Sequence, residues 1–187
     1  MTFPRCRELG IQKGKKMRKG IVTLVSVLVC FLLQTSVFEL IKLAGTTPNI
    51  LIILVSSTAV MRGQKEGMVT GFFSGLLLDI FYSRYLGGFA FLYMLFGFID
   101  GFFNRIYYTD DNVLPLLLIG GNDLVYGLIM YLQGGLLHGH LHFFQYLRSI
   151  ILPEIVYTVA IGFLLYRVLL KVHEWLMKYE KGSADFV

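Results

Sequence analysis

The feature that most constrains this chain is a series of long apolar runs separated by short polar joints. A helix must contribute roughly 20 apolar residues to cross about 30 Å of hydrocarbon, because it rises about 1.5 Å per residue. In this chain 56% of the residues are hydrophobic and 16% are charged, whereas charged residues make up about a quarter of a typical soluble domain. The sequence therefore excludes an ordinary soluble domain and predicts an integral membrane protein with several spans.

The apolar runs predict six transmembrane helices. Five of the runs are long enough to cross a bilayer, whereas the second run would reach only about 21 Å. The predicted spans are residues 20–41, 48–61, 67–86, 88–108, 113–132 and 146–170. The length of the second run leaves open whether it crosses completely.

The distribution of Lys and Arg favours six crossings. Cytoplasmic segments of membrane proteins are enriched in these residues. With six crossings and the amino terminus inside, fourteen Lys and Arg residues lie on the inner side, against only Lys42, Arg84 and Arg148 outside. If the run 48–61 does not cross, the split becomes nine to eight, which that rule does not favour. The net charge of +5 therefore reflects topology rather than binding to nucleic acid.

These observations predict an all-α, polytopic membrane helix bundle in which both ends are cytoplasmic. Residues 1–17 form a basic tail, residues 18–172 the six-helix transmembrane domain and residues 173–187 a cytoplasmic tail. The stretch 167–181 mixes Lys, Arg and Glu with Trp175. We expect this stretch to continue the last helix, where it either lies along anionic lipid headgroups or docks a cytoplasmic partner.

Four acidic residues lie within the last four predicted spans, one on each span: Asp79, Asp100, Asp123 and Glu154. An acid at the centre of a span costs about 2.5–3.5 kcal/mol on insertion scales. We therefore expect the four carboxyl groups near the span centres, pointing into the bundle or into a wet cavity. They form either an intramembrane polar cluster that fixes helix packing or part of a path for an ion or substrate.

Glycines recur at intervals of four along two predicted spans. Gly67, Gly71 and Gly75 share one side of the third span, and Gly97 and Gly101 repeat the spacing on the fourth. Residues four apart lie on one side of a helix, and small side chains there let another helix approach closely. The pattern predicts helix packing, either within this chain or against a partner subunit.

A histidine triplet lies in the longest predicted outer joint. His138, His140 and His142 alternate with Gly and Leu, and three imidazoles at this spacing are candidate ligands for a transition metal. No cysteine supports them, however, and the flanking residues suit a solvated or interfacial loop equally well. We therefore predict neither a metal nor a cofactor.

The sequence lacks the common catalytic signatures. It contains no nucleophile elbow, P-loop, H-E-x-x-H or C-x-x-C motif, and the predicted joints are too short to hold a soluble domain. We therefore expect no enzymatic activity.

Several short motifs occur in a fixed order along the first four spans. They are Q-T-S-V-F at 34–38, P-N-I-L-I-I-L-V at 48–55, R-G-Q-K-E-G at 62–67, G-F-F-S-G-L-L-L-D at 71–79 and L-G at 86–87. In order, spacing and hydropathy, residues 18–175 resemble the rod shape-determining protein MreD family, most closely between residues 48 and 101.

This resemblance implies a non-enzymatic subunit of the bacterial cell-elongation complex in the inner membrane. Such a subunit would lie beside an MreC-like bitopic protein and help to link MreB-like filaments to peptidoglycan synthases. The family is also similar to the substrate-binding subunits of energy-coupling-factor transporters, which share a six-helix core, so a vitamin- or metal-transport subunit is the alternative. Those subunits tend to carry an A-x-x-x-A stripe on the first span. Residues 20–41 contain no Ala, which favours the elongation complex.

Overall fold

The protein is a bundle of helices. The computed structural model describes residues 20–37, 46–83, 87–105, 113–136 and 143–182, and six helices lie within these ranges. The first five are α1 Gly20–Val37, α2 Ile50–Arg62, α3 Gln64–Tyr82, α4 Gly88–Asp100 and α5 Val113–Met130. Helix α4 continues as the 3₁₀ turn Gly101–Arg105, and α5 continues as the π-helical turn Tyr131–Leu136. Helix α6 consists of Phe143–Tyr146, the π-helical turn Leu147–Ile151 and Leu152–Gly182.

The prediction of an all-helical protein with six helices is confirmed for the described residues. Within the described part of the chain, three helical stretches are long and apolar enough to span a membrane: Gly20–Val37, Val113–Gln133 and Leu147–Val172. Helix α3 ends at Tyr82, before the predicted end of the third span at residue 86, because the backbone of Ser83 is extended. Helix α6 continues to Gly182, which confirms the expectation that the stretch 167–181 continues the last helix beyond its apolar part.

Helix α2, the short apolar run, lies at the centre of the bundle. All eleven residues from Ile50 to Val60 are buried. The helix packs against α3, α4, α5 and α6 and against the last turn of α1. A helix that is apolar on all sides is stable when other helices surround it. At about 20 Å, α2 is short, but its neighbours cover it instead of lipid.

One face of the bundle, which we call the Arg62 face, collects the start of α1, the end of α2, the start of α3 and the end of α4. Nη1 of Arg62 donates to Oγ1 of Thr23 at 3.2 Å, and Gly101 lies against Gln64. Val172, near the end of the apolar part of α6, lines a cleft together with residues of α1 and α2. The start of α1 and the distal part of α6 therefore lie at the same face.

The opposite face, which we call the Asp79 face, collects the other helix ends. The backbone N–H of Leu51 at the start of α2 donates to Oε1 of Gln34 near the end of α1 at 3.1 Å. The rings of Tyr131, after α5, and Tyr146, at the start of α6, lie 5.0 Å apart. Successive helices therefore alternate in direction, and α2 runs between the same two faces as its neighbours.

A single residue, Gly63, joins α2 to α3. Its φ is 90° and its ψ is 179°, a conformation that is essentially restricted to glycine. Its N–H donates to the carbonyl of Ala59 at 2.8 Å, and its own carbonyl accepts from the N–H of Gly67 at 3.0 Å. The amide of Asn104 also donates to the carbonyl of Val60. These bonds satisfy backbone groups at the end of α2 and the start of α3.

We expect Gly63→Ala to lower the free energy of unfolding by about 1–3 kcal/mol, because alanine is strained at this φ and ψ. The cost is conformational, since an added Cβ would meet Asn104 at an ordinary 3.7 Å. Unfolding with sodium dodecyl sulfate, followed by helical circular dichroism, measures the change. Gly20→Ala is the matched control, because a Cβ there meets nothing within 4 Å. Equal stability of the two variants would show that residue 63 does not adopt the strained conformation that requires glycine.

Candidate functional site

The five glycines predicted to pack lie between α3 and α4. A Cβ added to any of them would meet backbone atoms of the facing segment closer than real Cβ atoms approach. The facing positions are Gly67 with Gly97, Gly71 with Tyr93, Gly75 with Phe89, and Gly101 with Gln64. The two helices therefore pack backbone to backbone, and contacts within this chain occupy the glycine faces.

Asp79 binds the start of α4. Its carboxylate accepts hydrogen bonds from the backbone N–H groups of Gly87 at 3.0 Å, Phe89 at 3.0 Å and Ala90 at 2.8 Å, and the side chain is only 1% exposed. The first N–H groups of a helix lack partners within the helix and carry its positive dipole end. The carboxylate thus caps α4 from another helix. The expectation that Asp79 lies near a span centre is wrong, because α3 ends at Tyr82.

Asp100 belongs to a buried hydrogen-bonded group that joins three helices. The Asn122 side-chain amide on α5 donates to Oδ2 of Asp100, the last residue of α4, at 2.7 Å, and to Oγ of Ser56 on α2 at 2.9 Å. Ser56 also interacts with the Asp100 carboxyl group. All three side chains are buried. Asp100 ends the α-helical part of α4, which continues to Arg105, and its partners Ser56 and Asn122 lie near the middle of α2 and α5.

A second buried group surrounds Asn49, which precedes α2. The Asn49 N–H donates to Oγ1 of Thr158 on α6 at 3.2 Å, and its Oδ1 accepts from the hydroxyl of Tyr93 on α4 at 2.9 Å. The same oxygen also accepts from the N–H of Ile52 at 3.4 Å, as an N-cap does. These contacts supply partners to the buried start of α2, where backbone groups out of reach of water need internal partners.

Asp123 and Glu154 are the two acids that the structure brings together. Asp123 on α5 is buried, Glu154 on α6 is half-buried, and the two interact electrostatically. Thr158 is close enough to interact with Asp123, but neither carboxyl oxygen of Asp123 has hydrogen-bond geometry with a described residue. Asp79 and Asp100 have other partners, so the four acids occupy three separate environments rather than one shared cluster.

Sequence reasoning did not single out the uncharged partners in these groups: Ser56, Tyr93, Asn122 and Thr158. Isolated Ser, Thr and Tyr residues are common in apolar helices and carry no distinctive pattern. Asn49 offered a signal, because an Asn directly before an apolar run is a typical N-cap. Asn122 offered another, because it lies next to Asp123 within a span. An amide side chain in an apolar run can therefore indicate a buried hydrogen-bonded group, as an acidic side chain does.

The histidine triplet of residues 138, 140 and 142 lies outside the described residues, as does the predicted basic tail 1–17. Within the described ranges, no three His, Cys, Asp or Glu side chains lie close enough to hold a metal ion. The candidate site that the structure does contain is the pair of buried polar groups around α2. Its bonds connect α2 to α4, α5 and α6, so its chemical role is to fix how these helices pack.

Comparison with known protein families identifies a match over most of the chain. The model of the family described as rod shape-determining protein MreD matches residues 15–176. This range includes α1 to α5 and the apolar part of α6. Searches of curated proteins and of solved structures gave no significant match.

Proposed function

The chain belongs to the rod shape-determining protein MreD family, and from this membership we propose that it is the helical membrane subunit that holds the cell-elongation complex together. Proteins of this family are non-enzymatic membrane proteins that determine cell shape. In the proposed role, the chain binds an MreC-like bitopic protein and connects MreB-like filaments, directly or indirectly, with peptidoglycan synthases. The family match over residues 15–176 is the observation that carries the proposal.

The distribution of charge supports placing the Arg62 face in the cytoplasm of a bacterial inner membrane. Cations mark the cytoplasmic side of membrane proteins. Those at or near the Arg62 face are Arg62, Lys65, Arg105, Arg167 and Lys171. Among the described residues near the Asp79 face the cation is Arg148. With alternating helices, this orientation makes six crossings and leaves both ends of the chain inside.

The internal packing supports a scaffold rather than a mobile carrier. The glycine faces of α3 and α4 are filled by each other, and the joint between α2 and α3 is one residue long. Partners therefore contact the outer surfaces of the bundle, where exposed apolar residues of α1, α5 and α6 are available. A rigid bundle holds such partners at fixed positions.

Depletion and replacement in the bacterium that encodes this chain test the proposal. Depleted cells are expected to lose rod shape, and an epitope-tagged copy is expected to restore it. From mild detergent, that copy is expected to co-purify with MreC-like and other elongation proteins. Gly71→Leu should fail in both assays, because its side chain overlaps the α4 backbone.

Gly121→Ala is the control in these assays, since a Cβ there meets nothing within 4 Å. Two results would reject the proposal. One is normal rods after depletion. The other is co-purification with transporter ATPase subunits in place of elongation proteins, which would support the transport alternative.

A further inference from the structure

A cleft opens at the Arg62 face between α1, α2 and α6. Among the described residues that line it, the polar groups are the hydroxyl groups of Thr23, Ser26 and Thr58 and the guanidinium group of Arg62, and none of these lining residues is acidic. The volume of the cleft is about 30 Å³, whereas pockets for small soluble ligands measure roughly 300–1,000 Å³. The cleft therefore suits a few oxygen atoms of a group whose remainder lies outside.

The cleft lies where the apolar parts of the helices end. Thr23 is in the first turn of α1, Arg62 is the last residue of α2, and Val172 is the last residue of the apolar stretch of α6. The other apolar lining residues, among them Leu54 and Leu169, lie deeper in the bundle. In a membrane, this depth corresponds to the boundary between the hydrocarbon and the lipid headgroups.

Arg62 gives the cleft its charge. The side chain is only 13% exposed, and Nη1 lies 3.2 Å from Oγ1 of Thr23 and 3.4 Å from Oε2 of Glu66. A guanidinium group matches the geometry of a phosphate group and can donate two parallel hydrogen bonds to it. A phosphate would share Arg62 with the Glu66 carboxylate, which pairs with it at 3.4 Å. A lipid with net negative charge is favoured over a zwitterionic lipid, because the guanidinium group repels the ammonium of the latter.

We propose that this cleft binds the phosphate group of an anionic phospholipid. Arg62 donates to the phosphate oxygens together with the hydroxyl groups of Thr23 and Ser26, and the acyl chains lie along the exposed apolar surfaces of α1 and α6. The inference rests on the chain being in a membrane and not on the partners proposed above.

Native mass spectrometry of the full chain in detergent, titrated with phosphatidylglycerol or phosphatidylethanolamine, tests the proposal. The wild-type chain should retain phosphatidylglycerol in preference to phosphatidylethanolamine. Arg62→Gln should weaken phosphatidylglycerol binding by about tenfold or more, the usual loss for a hydrogen bond to a charged group. Arg105→Gln removes the same charge from an exposed residue on the same face that does not line the cleft, and it should bind normally.

Two further variants keep the test decisive if Arg62→Gln folds poorly. Ser26→Leu fills the cleft without changing its charge and should also lose phosphatidylglycerol. Glu66→Gln removes the carboxylate that competes for Arg62 and should strengthen binding. Equal phosphatidylglycerol binding by the wild type, Arg62→Gln and Ser26→Leu would overturn the proposal. Displacement of the lipid by millimolar inorganic phosphate would instead identify a site for free phosphate and would overturn the assignment to lipid.

Discussion

Gly71→Ala is expected to lower the free energy of unfolding by about 3 kcal/mol or more, at the upper end of the range for overpacked sites. The added Cβ would overlap the backbone carbonyl of Tyr93 on α4. A flexible side chain could turn away from such an overlap, but a helix backbone can yield only if the whole helix moves. Because α3 and α4 also touch at Gly67 and Gly75, one substitution separates the helices along their length.

Detergent unfolding followed by circular dichroism measures this effect. Gly121→Ala makes the same chemical change where a Cβ meets nothing within 4 Å. That control should be neutral or slightly stabilising, because alanine is favoured over glycine inside a helix by up to about 1 kcal/mol. A Gly71→Ala variant as stable as Gly121→Ala would show that α3 and α4 are not packed backbone to backbone.

Asp79→Ala is expected to cost about 2–4 kcal/mol. The substitution removes the acceptor for three backbone N–H groups at the start of α4, and each buried donor left without a partner costs about 1–3 kcal/mol. The expected cost is less than that of three unpaired buried donors, because Gly87 is exposed and water can replace Asp79 as the acceptor for its N–H. Asp79→Asn keeps one of the two oxygen acceptors, so its cost should be intermediate.

Thermal unfolding in detergent can compare Asp79→Ala with Glu66→Ala. Glu66 is a carboxylate near the other end of the same helix, and it forms only a partly exposed ion pair with Arg62. Exposed pairs contribute about 0–1 kcal/mol. Here Arg62 is 13% exposed and keeps its hydrogen bond to Thr23, so the control should lose less stability than Asp79→Ala. Similar losses of stability in the two variants would contradict the capping role of Asp79.

The helical content and the alternation of helices could be predicted because both depend on local composition. Apolar length predicts helices, and the positions of Lys and Arg predict which ends share a side. The Gly-x-x-x-Gly spacing from Gly67 to Gly75 likewise predicts close packing, because a bare helix side is unstable unless another helix covers it. Helix formation, helix direction and glycine spacing each depend on residues within a single segment, so each can be predicted without knowing which helices are neighbours.

The central position of α2 and the partners of the acids could not be predicted in this way. Residues 48–61 carry apolar side chains all round the helix, and the polar residues Ser56, Ser57 and Thr58 are consecutive, so the pattern does not indicate which side faces which neighbour. Asp79 resembles the other intramembrane acids in sequence, and its role as a cap appears only when Gly87 and Ala90 are folded back beside it. Asn49 and Asn122 likewise act through residues far along the chain.

The R-G-Q-K-E-G segment shows how a sequence motif can have a structural cause. Gly63 supplies a conformation that other residues rarely adopt, and Gly67 supplies space for Gly97. Arg62 and Glu66 pair across one turn at 3.4 Å. The motif therefore forms a tight connection between two packed helices, and it does not require a catalytic role.

The central claim, that six alternating helices cross the membrane with the Arg62 face inside, is tested most directly by single-cysteine labelling. In a chain with Cys6→Ser and Cys30→Ala, cysteines are introduced separately at the exposed residues Lys65, on the Arg62 face, and Gln133, near the Asp79 face. In spheroplasts, a membrane-impermeant maleimide should label Gln133→Cys but label Lys65→Cys only after permeabilisation. Labelling of Lys65→Cys in sealed spheroplasts would contradict the claim.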